Sequence, residues 1–157
     1  MRVLIISFLI NVFSYVLIVF SKIDSEPLKI ADIKQNIQVT EEKIIGKNGY
    51  HNDGIIYRKY LLNEKELKKI INDIKNNFHW KIGALNEELK NLISKADKND
   101  MLNIDNGYYF YVDRHPEASG NIYEFNADIV YKRYSYNYTV MALDVNNKTL
   151  YYFQVDT

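Results

Sequence analysis

The chain of 157 residues, of which about 20 form an apolar N-terminal run, suits one domain, since domains commonly hold roughly 100–150 residues. Hydrophobic residues make up 47% and aromatic residues 14%, which excludes the low-hydrophobicity regime of disordered chains. Twenty basic side chains balance twenty acidic ones, so no net field draws the chain to nucleic acid, and the absence of cysteine excludes disulfides, thiolate metal sites and a cysteine nucleophile.

The stretch Val3 to Phe20 carries no charged residue. As a helix it would span about 27 Å at 1.5 Å per residue, close to the roughly 30 Å of a bilayer core. Residues 1–21 are therefore expected to be a transmembrane anchor or a signal peptide. The apolar run exceeds the roughly 7–15 residues of a signal h-region, which favours the uncleaved anchor. The expected location is the cell membrane, with a single pass, or outside it if the leader is cleaved. Lys22, Lys29 and Lys34 after the span argue for a cytoplasmic domain, whereas Arg2 before it resembles the basic start of an export signal. Residues 22–36, with Pro27 and mixed charge, are expected to form a juxtamembrane linker.

Residues 37–157 are expected to form a single α+β domain. Ile37 to Ile45 and Ile55 to Leu62 predict strands around a loop marked by Gly46, Gly49 and Gly54. Asn63 stands three residues before Glu66, the spacing of a capping box, and Leu67, Ile70, Ile71, Ile74 and Phe78 then recur on one helical face. Leu85, Leu89, Leu92, Ile93 and Ala96 renew that pattern beyond Gly83, predicting a second amphipathic helix. Trp80, near the junction, is expected in the core with its indole N–H on a carbonyl. The C-terminal half turns aromatic and β-branched. Strands are predicted at 107–112, 121–125, 129–134, 136–145 and 149–155, the last two forming a hairpin through Asn146-Asn147-Lys148 with an asparagine in the left-handed conformation. Together these elements predict an antiparallel sheet, ending in a hairpin, with both helices packed on one face.

Chemistry-bearing residues are few. The densest polar cluster, Asp113-Arg114-His115-Pro116-Glu117, follows a strand, and His115 oriented by Asp113 or Glu117 would form a general-base pair. Alternation along the strand would put Asp113 and His115 on one side and Arg114 on the other; a plain turn with Arg114 paired to a carboxylate is the simpler expectation. His51, His79 and His115 are too scattered for a metal site, so no metal and no cofactor are expected. No G-x-S-x-G elbow and no phosphate-cradling glycine loop occurs. Fourteen tyrosines are the remaining anomaly. Tyr108, Tyr109, Tyr111, Tyr136, Tyr138, Tyr151 and Tyr152 on predicted strands would offer a binding surface if part of them faced solvent, or a cross-strand aromatic core if they did not.

The stretch Tyr108-Tyr109-Phe110-Tyr111-Val112-Asp113-Arg114-His115-Pro116-Glu117-Ala118 and the ending Leu150-Tyr151-Tyr152-Phe153-Gln154-Val155-Asp156-Thr157 resemble small uncharacterised bacterial proteins that are exported or membrane-anchored. The resemblance covers about a third of the chain. It implies a bacterial, membrane-associated setting and transfers no catalytic role. The expectation is a membrane-tethered or exported, non-enzymatic domain that binds a protein partner, an immunity-type protein being one concrete form. A small cell-envelope hydrolase using His115 with Asp113 or Glu117, and a structural envelope protein, are the alternatives.

Overall fold

The computed structural model describes residues 26–46, 53–96, 100–118 and 120–157; the apolar run Val3 to Phe20 lies outside the described residues. Among the described residues no helix is long and apolar enough to cross a membrane. The elements run α1 (Glu26–Lys29), β1 (Glu41–Ile45), β2 (Gly54–Leu61), α2 (Glu64–Lys75), β3 (Lys81–Ile82), α3 (Glu87–Ala96), a 3-10 turn (Asp100–Asn103), β4 (Gly107–Asp113), α4 (Ala127–Val130), β5 (Asn137–Asp144) and β6 (Thr149–Asp156). The six strands form one antiparallel sheet in the order β1-β2-β6-β5-β4-β3. The α+β class and the closing β5–β6 hairpin are as predicted.

Local chemistry sets the boundaries. Asn63 Oδ1 accepts the backbone N–H of Lys65 and of Glu66, each at 3.0 Å, and Glu66 Oε2 accepts the N–H of Asn63 at 2.9 Å. Asparagine thus replaces the usual serine in a complete capping box, a cap worth about 1 kcal/mol. In the β5–β6 turn Asp144 holds Asn147 twice, Oδ1 accepting its backbone N–H at 2.9 Å and Oδ2 its side-chain amide at 2.7 Å. With Asn147 so committed, Lys148 takes the left-handed conformation, at φ 50°, where the sequence pointed to an asparagine. Gly107 is required by close approach: a Cβ there would stand 1.8 Å from the carbonyl oxygen of Leu143 on the neighbouring strand.

The sheet is covered on both faces, which corrects the expectation that both helices share one face. Leu67, Ile70 and Ile74 of α2 pack with Tyr60, Phe110, Val112, Met141, Leu143, Leu150 and Tyr152 in one core. Leu89, Leu92 and Ile93 of α3 pack with Tyr57, Tyr111, Tyr138, Val140, Ala142, Tyr151 and Phe153 in the other. The assignment alternates residue by residue along β4, β5 and β6, as successive side chains on a strand must. A half-covered sheet would have alternated apolar with polar, whereas Tyr138 to Leu143 is buried throughout, the pattern of a strand enclosed on both sides.

Four further expectations are corrected. Leu28, Ala31 and Ile33 are buried in the core beside α2, so the stretch read as a linker, 22–36, belongs from Leu28 onward to the domain. Trp80 lies in that core as expected, and its indole N–H donates to the Ala31 carbonyl at 3.0 Å. Residues 121–125 form no strand, and the predicted strand at 129–134 opens as the short helix α4. Here Asn126 caps with its side chain accepting the Ile129 N–H at 3.3 Å, a local bond that overrides the β-preference of Ile129 and Val130. Phe78, placed by periodicity on the buried stripe of α2, lies past the helix end and is 88% exposed.

Because the two cores are separated by the sheet, their losses should be independent. Ile70→Ala and Ile93→Ala, both at fully buried positions, are each expected to cost about 2–5 kcal/mol. The double variant is expected to sum the two within about 0.5 kcal/mol. Chemical denaturation of the three variants measures this; strong coupling would mean a single shared core.

Candidate functional site

The seven sheet tyrosines divide sharply. Tyr111, Tyr138, Tyr151 and Tyr152 are buried, while Tyr108, Tyr109 and Tyr136 are half-buried. Tyr111 contacts Tyr138 and Phe125, Tyr138 contacts Phe153, and Tyr57 contacts Tyr151, with ring centroids 5.6–6.4 Å apart, the spacing of stabilising aromatic pairs. Burial pushes the Tyr111 and Tyr138 phenols well above the ordinary range, with Asp113 adding to the rise at Tyr111 and Arg133 opposing it. Both therefore stay protonated and apolar in character. Four of the seven candidate binding residues are core.

The polar cluster after β4 is assembled across the chain. Asp113 closes β4, and its backbone N–H donates to the Ile122 carbonyl at 2.8 Å, while the N–H of Arg114 reaches the Asn137 carbonyl at 2.7 Å. Asp113 and Arg114 consequently point to opposite faces, as alternation requires. Arg114 Nη2 meets Asp156 Oδ1 at 2.7 Å and its Nε meets Thr139 Oγ1 at 3.0 Å. Asp113 Oδ2 meets Arg133 Nη1 at 2.7 Å, with only 9% and 7% of the two side chains exposed. A pair this enclosed holds because it is also hydrogen-bonded: Asp113 Oδ1 accepts the backbone N–H of His115 at 3.1 Å. Two donors beside it, Arg133 Nη2 and the Tyr111 hydroxyl, are buried without a hydrogen-bond partner among the described residues.

His115 touches neither candidate acid through its ring in the way a general base needs. Its Nδ1 accepts the backbone N–H of Glu117 at 3.1 Å, and its Nε2 faces Ser135 Oγ at 3.0 Å. A neutral imidazole that accepts at Nδ1 carries its proton on Nε2, so the ring donates to Ser135. A serine-activating base presents the reverse polarity, with a lone pair at the hydroxyl and N–H at a carboxylate. The Asp113 carboxylate is engaged by Arg133, and the exposed Glu117 meets the ring only through its backbone. Asp113, His115 and Glu117 are thus gathered in one turn, but as a clamp between the 113–117 segment and Ser135. Ser135 and Arg133, supplied from about 20 residues away, carried no motif that could have marked them.

A second feature lies at the opposite side of β4. β3 is an edge strand of two residues, Lys81 paired with Tyr109 and Ile82 with Tyr108. Ile82 is 84% exposed and Phe78 is 88% exposed. The ring of His79 stacks on Tyr123 with centroids 3.5 Å apart and contacts Phe78 at 3.9 Å, and Tyr123 in turn meets the buried Phe110 edge-on. An aromatic stack rooted in the core therefore ends at an apolar surface beside a strand edge that no other strand pairs among the described residues. Among the described residues no group of three or more His, Asp or Glu side chains is placed to hold a metal ion.

Comparison with models of protein families, with curated proteins and with solved structures finds no match.

The ring tautomer is directly observable. Nitrogen NMR of the imidazole is expected to show His115 protonated at Nε2 and unprotonated at Nδ1 in its neutral form; the Nδ1–H tautomer would restore the polarity of a general base.

Proposed function

We propose that the chain is a membrane-tethered or exported, non-enzymatic protein-binding domain, a toxin-neutralising immunity protein being one concrete form. The observation that carries this reading is the pair Phe78 and Ile82, almost fully exposed at the open edge of β3. Isolated surface hydrophobics are ordinary. These two flank the buried Trp80, lie against the half-buried Tyr108 and the His79–Tyr123 stack, and border backbone groups that a partner strand can pair with. Rings already fixed by packing lose little freedom on binding, which favours affinity. The binding surface thus moves from the sheet tyrosines, where the sequence pointed, to this edge, and of the seven only Tyr108 and Tyr109 pair with it. The membrane setting is supported by the uncharged run Val3 to Phe20 alone.

The hydrolase alternative, His115 with Asp113 or Glu117, is disfavoured by the ring polarity described above. The structural-envelope alternative expects no specific partner. Affinity capture of the tagged full-length chain from its own membranes, repeated with Phe78→Ser and Ile82→Ser together, decides between binding and the rest. A specific co-purifying protein is expected for the parent chain and is expected to disappear with the double variant, whose stability changes by no more than about 0.5 kcal/mol per exposed position. A partner retained undiminished by the variant, or no partner at all, would sink this proposal.

A further inference from the structure

The turn 114–118 and the segment 129–135 enclose a cleft of about 390 Å3, lined by His115, Glu117, Ile129, Lys132, Arg133, Tyr134 and Ser135. We infer that this cleft is a carboxylate-binding site, separate from the β3 edge, and that the carboxylate it takes is borne on a polypeptide.

Because His115 Nδ1 accepts the Glu117 N–H, the ring proton is spent on Ser135 Oγ, and a hydroxyl that accepts from one neighbour still has its own proton to donate. Ser135 lines the cleft, so that proton is available to an acceptor within it. Lys132, exposed on the same wall, makes no ion pair among the described residues. Arg133 is neutralised by Asp113 behind the wall, leaving Lys132 as the cation that faces an incoming anion and Glu117 as the carboxylate that competes with it. An anion with two oxygens can meet the Ser135 hydroxyl and the Lys132 ammonium together, and charge-assisted bonds of this kind are the strong ones. Ile129 provides an apolar wall, and Tyr134, fully exposed at the rim, offers the rigid aromatic area that polypeptide contacts use. A free small acid would gain nothing from Tyr134; a side-chain carboxylate flanked by backbone would.

The walls are fixed without a ligand. The Asp113–Arg133 pair and the His115–Ser135 bond join the two segments across about 20 residues of sequence, so the donors are already positioned and binding need not order them.

The test titrates the full-length chain, labelled with nitrogen-15, with the capped tripeptide acetyl-Gly-Glu-Gly-amide, with its glutamine analogue and with acetate. The glutamate peptide is expected to give saturable shifts at the amides of Glu117, Lys132 and Ser135, the glutamine peptide none, and acetate several-fold weaker binding. Lys132→Gln should weaken peptide binding by about fivefold, the scale of one partly solvated charged contact, and Glu117→Gln should tighten it by removing the competing carboxylate. Both positions are at the surface, so folding is preserved. Equal response to the glutamate and glutamine peptides, or shifts confined to the lysines of α2, would overturn the carboxylate assignment; parity between peptide and acetate would overturn its polypeptide source. The Phe78 and Ile82 capture result is unaffected by either outcome, so the two proposals fail separately.

Discussion

Strands β5 and β6 pair over eight residues each, and between Tyr138 and Leu143 and between Thr149 and Phe153 every side chain is buried, on whichever face it falls. Each face of this hairpin needs its own apolar cover, so α2 is drawn to one side and α3 to the other, and Leu28, Ala31 and Ile33 are recruited before the first strand to complete the layer over α2. Fully burying side chains of this size stabilises by roughly 1.5–3 kcal/mol each. Leaving either face open would forfeit several of them at once.

The same constraint decides where function can reside. A tyrosine enclosed between sheet and helix has its ring spent on packing and its hydroxyl held protonated by burial, as at Tyr111 and Tyr138. Tyr111, Tyr138, Tyr151 and Tyr152 are therefore packing residues of the two cores. What the cores leave at the surface lies where the layers end: the two-residue strand β3, beside which Ile82 and Phe78 stand in solvent, and the turn after β4, where a buried ion pair and a donating histidine hold two loops in register. In the first the chemistry is apolar, and in the second the histidine has the wrong polarity to activate a nucleophile.

Much of this was legible in the sequence because the signals were local. The Asn63–Glu66 spacing marked the start of α2, Leu67, Ile70 and Ile74 marked its buried face and Leu89, Leu92 and Ile93 that of α3, and the asparagines after Val145 marked the hairpin turn. The layer count was harder to read. The lack of alternation from Tyr138 to Leu143 is itself the mark of a strand covered on both faces, but the tyrosines around it, having a polar end, look equally suited to core and surface and blurred that signal. Ser135 and Arg133 were invisible as partners of the 113–117 turn because only the fold brings them to it. Phe78 misled for a simple reason: it keeps the helical period for one step after Lys75, where the helix has already ended.

Whether the hairpin enclosed on both faces organises the domain is read out by native-state amide hydrogen exchange. The amides of Tyr138 to Leu143 and Leu150 to Phe153 that bond within the sheet are predicted to be the slowest in the chain and to exchange only through global unfolding, with the same free energy on both strands. Exchange of either strand through a cheaper local opening, while α2 or α3 stays protected, would contradict the account.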